Sequence, residues 1–211
     1  MVKAILFDFW GTLAETGTWS PLKQIRNILR INVPFPEYVV RVETIMMTKN
    51  FNSLPEIFEA VCKEFNVSCS PRTIEELVGM WNKSWLLAKP YAEVESVLTQ
   101  LKTKYRIILV SNTDCFSLPR VLSKYNFEKY FEKIFLSFEM GLIKTDKNFL
   151  MNVLDYLQLS ADECVLVGDS LQSDIASAKK VGIKAILIDR KGIFNVDPKV
   201  KNLEEIESLI A

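Results

Sequence analysis

Residues 4–13 read Ala-Ile-Leu-Phe-Asp-Phe-Trp-Gly-Thr-Leu, an apolar run that ends at Asp8. Four consecutive apolar residues, without alternation, are typical of a strand buried on both faces of a parallel sheet. A carboxylate directly after such a strand lies at the sheet edge where open α/β folds bind their ligands. This stretch therefore predicts both the fold and the place of a functional site.

Four further apolar runs resemble the first, at residues 107–110, 134–136, 165–167 and 185–188. Between them apolar residues recur every three or four positions, which indicates helices. Strands and helices in alternation are the sequence signature of a doubly wound α/β domain. We therefore predict a five-stranded, mainly parallel sheet.

The segment from residue 15 to residue 90 interrupts this alternation. It contains no convincing strand and several helical stripes, one of which starts with capping-box spacing at Ser53 and Glu56. We therefore predict a small α-helical cap domain over residues 15–90. The α/β core domain is expected to comprise residues 1–14 and 91–211.

The composition excludes several classes of protein. The chain has 211 residues, with 26 basic residues, 26 acidic residues and no histidine. Without histidine there is no Ser-His-Asp triad and no imidazole ligand, so a site for a hard metal must use oxygen ligands. Balanced charge gives no electrostatic basis for binding nucleic acid or an anionic membrane. With no apolar run long enough for a membrane span, we expect a cytoplasmic monomer or homodimer.

The four cysteines are Cys62, Cys69, Cys115 and Cys164, and none forms a CxxC pair. Three of them lie beside apolar residues, so we expect buried free thiols in a reducing compartment. A Cys62–Cys69 disulfide or a four-thiolate zinc site is the alternative.

Polar side chains follow the next three predicted strands, as Asp8 follows the first. They are Ser111, Asn112 and Thr113 after the second strand, Lys144 after the third, and Asp169 and Asp174 after the fourth. In a parallel sheet these loops open on one edge, so we expect three carboxylates, a hydroxyl and an ammonium to lie together. Carboxylates so close repel one another, which a bound cation together with Lys144 would offset.

These residues resemble the four motifs of the haloacid dehalogenase superfamily. The matching stretches are Asp8-Phe-Trp-Gly-Thr-Leu, Val110-Ser111-Asn112-Thr113, Lys144 and Gly168-Asp169-Ser-Leu-Gln-Ser-Asp174. The resemblance covers the whole chain, including a helical cap after the first motif. It implies a hydrolase of a small anionic substrate with Asp8 as the nucleophile. The other implied roles are catalytic for Ser111 and Lys144 and substrate-binding for Thr12 and Asn112.

The resemblance also implies a magnesium ion, which the phosphatases of this superfamily hold beside the nucleophile. The implied ligand positions are Asp8, the backbone carbonyl of Trp10, Asp169 and Asp174. The protein would then hydrolyse a small phosphate ester through an aspartyl-phosphate on Asp8.

Trp10 departs from the phosphatase pattern. Phosphatases of the family usually carry a second Asp there, which protonates the leaving oxygen and then deprotonates the attacking water. An aromatic residue at this position resembles the metal-independent 2-haloacid dehalogenases, whose halide leaves unprotonated. Those enzymes, however, typically have Ser where this chain has Asp169, and Tyr where it has Leu150.

Three functions therefore stay open, of which we favour a magnesium-dependent phosphohydrolase. The others are a 2-haloacid dehalogenase and a catalytically weak binding or regulatory protein. Without an acid at Trp10, the leaving oxygen departs as an anion or takes its proton from water or another side chain. Glu15, close after the first motif, is the first candidate for that side chain.

Overall fold

The computed structural model describes residues 1–210. The strands are β1 (Ala4–Phe7), β2 (Ala14–Glu15), β3 (Lys89–Pro90), β4 (Arg106–Ser111), β5 (Lys133–Leu136), β6 (Cys164–Gly168), β7 (Lys184–Ile188) and β8 (Lys199–Val200). The helices are α1 (Pro21–Ile28), α2 (Phe35–Met47), α3 (Leu54–Glu64), α4 (Pro71–Leu86), α5 (Val94–Leu101), α6 (Ser117–Tyr125), α7 (Ser137–Met140), α8 (Lys147–Leu157), α9 (Ala176–Lys180) and α10 (Glu207–Ile210). Within the described residues, no helix is both long enough and apolar enough to cross a membrane.

Six strands form one parallel sheet in the order β5-β4-β1-β6-β7-β8. The predicted α/β fold is confirmed, and the five predicted runs lie in β1, β4, β5, β6 and β7. The sheet has six strands rather than five because β8 adds an edge strand. This strand has only two residues, Lys199 and Val200, which is too short to show as an apolar run.

The sequence of the central strand β1 is continuously apolar because both of its faces are buried. Ile5 and Phe7 pack into one apolar cluster together with residues of α5 and α6. Ala4 and Leu6 pack into a second cluster together with residues of α8. Successive side chains of a strand point to opposite faces, and here helices cover both faces.

Helices α1 to α4, residues 21–86, form a helical insertion with an apolar cluster of their own. Ser53 begins α3 as predicted, because its hydroxyl accepts the backbone N–H of Glu56. The antiparallel pair β2 and β3 joins the two ends of the insertion. The chain therefore leaves the sheet after β1 and returns to it beside the point where it left.

A disulfide joins Cys62 and Cys69, so the expectation of four free thiols is wrong for this pair. Their Cα atoms lie 6.4 Å apart, within the range that a disulfide spans. Asn66 brings them together, because its left-handed conformation, with φ of 58°, turns the chain back after α3. Cys115 and Cys164 are free thiols.

Candidate active site

Asp8 follows β1 at the carboxyl end of the sheet and is almost completely buried. Its Oδ1 lies 2.5 Å from Nζ of Lys144, and its Oδ2 accepts a hydrogen bond from the Thr12 hydroxyl at 3.3 Å. Burial raises the pKa of Asp8 to about 6, although the Lys144 ammonium opposes this shift. The adjacent ammonium favours the ionised form of Asp8, which is the form that a nucleophile requires.

Lys144 is buried between two carboxylates. Its Nζ lies 2.5 Å from Oδ1 of Asp8 and 2.5 Å from Oδ1 of Asp174. Burial by itself would lower the pKa of Lys144, but Asp174 and Asp8 outweigh that effect and raise the pKa above its ordinary value. The ammonium is thus a permanent positive charge beside the expected nucleophile.

Two acidic residues follow β6, and glycines allow them to approach the site. Asp174 is fully buried in a single π-helical turn, and its Oδ2 accepts the Ser170 backbone N–H at 3.0 Å. A Cβ atom at Gly168 would lie 2.3 Å from the carboxyl carbon of Asp174. A Cβ atom at Gly11 would lie 2.1 Å from Oδ2 of Asp169. Larger residues at these two glycines would therefore displace the carboxylates.

Asp8, Asp169 and Asp174 each offer a carboxylate oxygen within 4.8 Å of the others. Burial, followed by repulsion from Asp8 and Asp174, raises the pKa of Asp169. Three carboxylates against the single ammonium of Lys144 leave an excess of negative charge. Clustered oxygen donors with that excess are the donor set that Mg²⁺ takes in proteins, so these residues are compatible with a magnesium ion.

A cavity of about 290 Å³ lies between these residues and the helical insertion. Its lining from the α/β part includes Asp8, Trp10, Asn112, Thr113, Lys144 and Asp169, and its lining from the insertion includes Leu22, Phe35, Val39, Glu43, Met47 and Trp81. Among the described residues, Lys144 is the only cationic side chain in this lining. The wall that the insertion contributes is mainly apolar, with Glu43 as its charged group.

The remaining predicted site residues lie in different surroundings. Ser111 is fully buried, and its hydroxyl lies 3.5 Å from the carbonyl oxygen of Asn112. Asn112 lines the cavity, whereas Thr12 is buried against the carboxylate of Asp8. Trp10 also lines the cavity, with its ring packed edge-on against Phe9.

Glu43 is a site residue that the sequence reasoning missed. Its Oε2 accepts a hydrogen bond from Nδ2 of Asn112 at 2.9 Å. Burial raises the pKa of Glu43 to about 7, while Lys144 and the Asn112 hydrogen bond oppose the shift. The signal was the position of an acidic residue between Val39 and Met47, four residues from each, on one helix face.

Trp81 and Asp114 hold the insertion against the sheet domain. The indole N–H of Trp81 lies 3.1 Å from Oδ2 of Asp114 and 3.0 Å from Oγ of Ser117. Oδ1 of Asp114 accepts the backbone N–H groups of Phe116 and Ser117 at the start of α6. Trp81 therefore forms a polar anchor between the insertion and the sheet domain, in which both oxygens of Asp114 are occupied.

Comparison with known proteins gives a family match along most of the chain. The family model described as haloacid dehalogenase-like hydrolase matches residues 5–188. A glyceraldehyde 3-phosphate phosphatase from Pyrococcus abyssi is 23% identical over 88% of this chain and 81% of that protein. The N-acylneuraminate-9-phosphatase of Homo sapiens is 26% identical over 91% of this chain and 84% of that protein.

Solved structures share the fold along the whole chain. A 2-haloacid dehalogenase from Pseudomonas syringae pv. Tomato DC3000 matches with a TM-score of 0.67 and 18% identity, over 100% of this chain and 98% of that one. A HAD family enzyme from Bacteroides thetaiotaomicron, in complex with magnesium and inorganic phosphate, matches with a TM-score of 0.62 and 20% identity, over 93% of this chain and 98% of that one. At these identities the structural similarity establishes the fold alone.

Proposed function

Because this chain belongs to the haloacid dehalogenase-like hydrolase family, we propose that it is a magnesium-dependent phosphatase that forms an aspartyl-phosphate on Asp8. The observation that carries this proposal is the buried carboxylate of Asp8, which lies beside Lys144 and within 4.8 Å of Asp169 and Asp174. The relatives named as phosphatases support the same reaction class.

The proposed magnesium ligands are the carboxylates of Asp8 and Asp169 and the backbone carbonyl of Trp10, with Asp174 closing the surroundings of the ion. When bound, magnesium would neutralise charge on the phosphoryl oxygens and on the nucleophile. The Bacteroides enzyme, which binds magnesium and phosphate within the same fold, supports this assignment.

The other residues hold the nucleophile and the phosphoryl group in place. The Thr12 hydroxyl fixes the orientation of Asp8 through Oδ2, and Lys144 stabilises negative charge on Asp8 and on the phosphoryl group. We assign Asn112 to substrate binding because it lines the cavity. Ser111 would hold a phosphoryl oxygen once its hydroxyl turns away from the Asn112 carbonyl.

We also propose that residues 15–90 act as a cap domain that encloses the leaving group. Among the described residues that line the cavity, Lys144 is the only cationic side chain, and the phosphoryl group would pair with it. A carboxylate on the leaving group would face Glu43 without a positive partner. The apolar side chains of Phe35 and Met47 and the volume of about 290 Å³ favour a small, uncharged and partly apolar leaving group.

Trp10 favours a second candidate function, the hydrolysis of carbon–halogen bonds. Trp10 lines the cavity, and its indole cannot supply the proton that a leaving alkoxide needs, whereas a halide needs none. Asp169, placed beside Asp8 and Asp174, weighs against this candidate because a metal-independent enzyme has no use for a third carboxylate there.

Two assays, one of phosphate release and one of chloride release, distinguish the two functions. We expect phosphate release from p-nitrophenyl phosphate and from a set of small phosphate monoesters in the presence of magnesium, and its loss after chelation. Metal-free release of chloride from 2-chloropropionate, without release of phosphate from any ester, would contradict the phosphatase proposal and establish the dehalogenase.

A further inference from the structure

The position where phosphatases of this family carry their acid is occupied by Trp10, yet a carboxyl group of the helical insertion lines the same cavity. We propose that Glu43, on helix α2 of the insertion, is the general acid and base of this active site. It would protonate the leaving oxygen in the first step and accept a proton from the attacking water in the second. This inference rests on the proposed phosphatase function.

Asn112 fixes the orientation of the Glu43 carboxyl group. The backbone N–H of Lys144 donates to Oδ1 of Asn112 at 2.8 Å, and a backbone N–H can only donate. The other end of the Asn112 amide, Nδ2, must therefore be the donor that reaches Oε2 of Glu43 at 2.9 Å. Among the described residues, Oε1 of Glu43 has no hydrogen-bond partner, so this oxygen is free to carry the proton.

Two other carboxyl groups outside the proposed magnesium site, those of Asp114 and Glu15, are unsuited to this task. Both oxygens of Asp114 are occupied by Trp81, Phe116 and Ser117. Glu15, the candidate taken from the sequence, is exposed on β2 and lines a different cavity, beside Arg190. Glu43 is thus the carboxyl group that the helical insertion contributes to the cavity above Asp8.

The surroundings of Glu43 leave its protonation finely balanced. Burial raises its pKa to about 7, Lys144 and Asn112 oppose the shift, and Asp174 and Asp8 add to it. A general acid and base works best when its pKa is close to the working pH, because both forms are then populated.

Glu43 can carry every proton that the two chemical steps transfer. In the first, a carboxylate oxygen of Asp8 bonds to phosphorus, the ester P–O bond breaks, and the leaving oxygen takes the proton of Glu43 to give the alcohol. In the second, water attacks phosphorus, the bond to Asp8 breaks, and Glu43 takes a proton from the water. The products are hydrogen phosphate, free Asp8 and protonated Glu43.

The test compares kcat/KM on phosphate monoesters of increasing leaving-group pKa for the wild type, Glu43→Gln and Glu37→Gln. Glu37 lies exposed on the same helix and serves as the matched control. For Glu43→Gln we expect a loss of roughly 10²–10⁴-fold on alkyl esters. We expect less than about tenfold on p-nitrophenyl phosphate, whose phenolate leaves without an acid. With that ester, aspartyl-phosphate should accumulate in Glu43→Gln, because the second step also needs Glu43.

The wild type provides a second measurement that does not depend on a variant folding. Its kcat/KM on alkyl esters should fall as the pH rises above about 7, while that on p-nitrophenyl phosphate should not fall with it. Equal losses on alkyl and aryl esters in Glu43→Gln, or identical pH profiles for the two esters in the wild type, would overturn the role of Glu43 and leave the phosphatase function intact. Failure of the wild type to hydrolyse any phosphate ester would instead overturn the proposed function, and the role of Glu43 with it.

Discussion

Nζ of Lys144 and Oδ1 of Asp8 lie 2.5 Å apart, and both side chains are almost completely shielded from solvent, with 2% and 8% exposed. Each partner determines the charge of the other, because burial opposes the ionised form of both. The same ammonium also pairs with Asp174. One lysine thus compensates two buried carboxylates, which makes it the electrostatic centre of the site.

Replacing Lys144 with Met should therefore damage both stability and activity. Removing one member of a buried ion pair typically costs about 3–5 kcal/mol, because the partner charge is left uncompensated. Urea denaturation measures this loss, with Lys147→Met as the control, since Lys147 is exposed. A variant that unfolds at the same urea concentration as the control would show that Lys144 does not compensate Asp8 and Asp174.

Asp169→Ala should abolish the effect of magnesium on both the activity and the stability of the protein. We expect turnover of p-nitrophenyl phosphate to fall by at least about 10²-fold, and we expect magnesium to stabilise the wild type but not the variant. Thermal unfolding with and without magnesium measures this stabilisation independently of turnover. An equal rise in Tm for both proteins would place the ion elsewhere.

The stability of the protein should depend on pH through Glu43. Its pKa is about 7 in the folded protein against an ordinary 4.5, so between these values the folded state holds a proton that the unfolded state has lost. Stability from this group is therefore present below about pH 4.5 and is lost as the pH rises through 7. Asp8, Asp174 and Lys144 are the charged groups around it.

Glu43→Gln should remove that part of the pH dependence. In the absence of metal, we expect the stability of Glu43→Gln relative to that of the wild type to increase from pH 5 to pH 8, by at most about 3 kcal/mol. Urea denaturation of both proteins at the two pH values measures the difference. A constant difference between them would mean that Glu43 is ionised in the folded protein throughout this range.

The Cys62–Cys69 disulfide should stabilise the helical insertion. The bond closes a short loop, with a sequence separation of 7, so we expect a contribution of about 2 kcal/mol. A reductant should lower the Tm of the wild type and leave that of Cys69→Ser unchanged. If the reductant has no effect on the wild type, the two thiols are not paired in solution.

The sequence predicts those site residues whose positions are determined by the ends of the strands. Asp8 and Asp169 follow continuous apolar runs, and parallel strands bring their ends together regardless of what covers the sheet. Lys144 and Asp174 also lie where their spacing from those strands indicated. Local pattern and sheet topology suffice for this half of the site.

Glu43 could not be found in this way, because its role depends on how the insertion docks. The contacts that place it, between Glu43 and Asn112 and between Trp81 and Asp114, join residues far apart in the chain. The Cys62–Cys69 pairing depends likewise on the turn at Asn66. Helix periodicity places Glu43 on one face with Val39 and Met47, but it does not indicate how the insertion docks or how the chain turns after α3.

The central claim, covalent catalysis by Asp8, is tested most directly by trapping the phosphorylated enzyme. The protein would be mixed with p-nitrophenyl phosphate and magnesium, quenched with acid and digested, and the peptide containing Asp8 analysed by mass spectrometry. We predict a phosphoryl adduct on Asp8 that is absent from Asp8→Asn and present in Asp155→Asn, whose altered residue is exposed on α8. Two results would contradict the account. One is turnover of the ester with no adduct in either the wild type or the slow Glu43→Gln variant, and the other is undiminished turnover in Asp8→Asn.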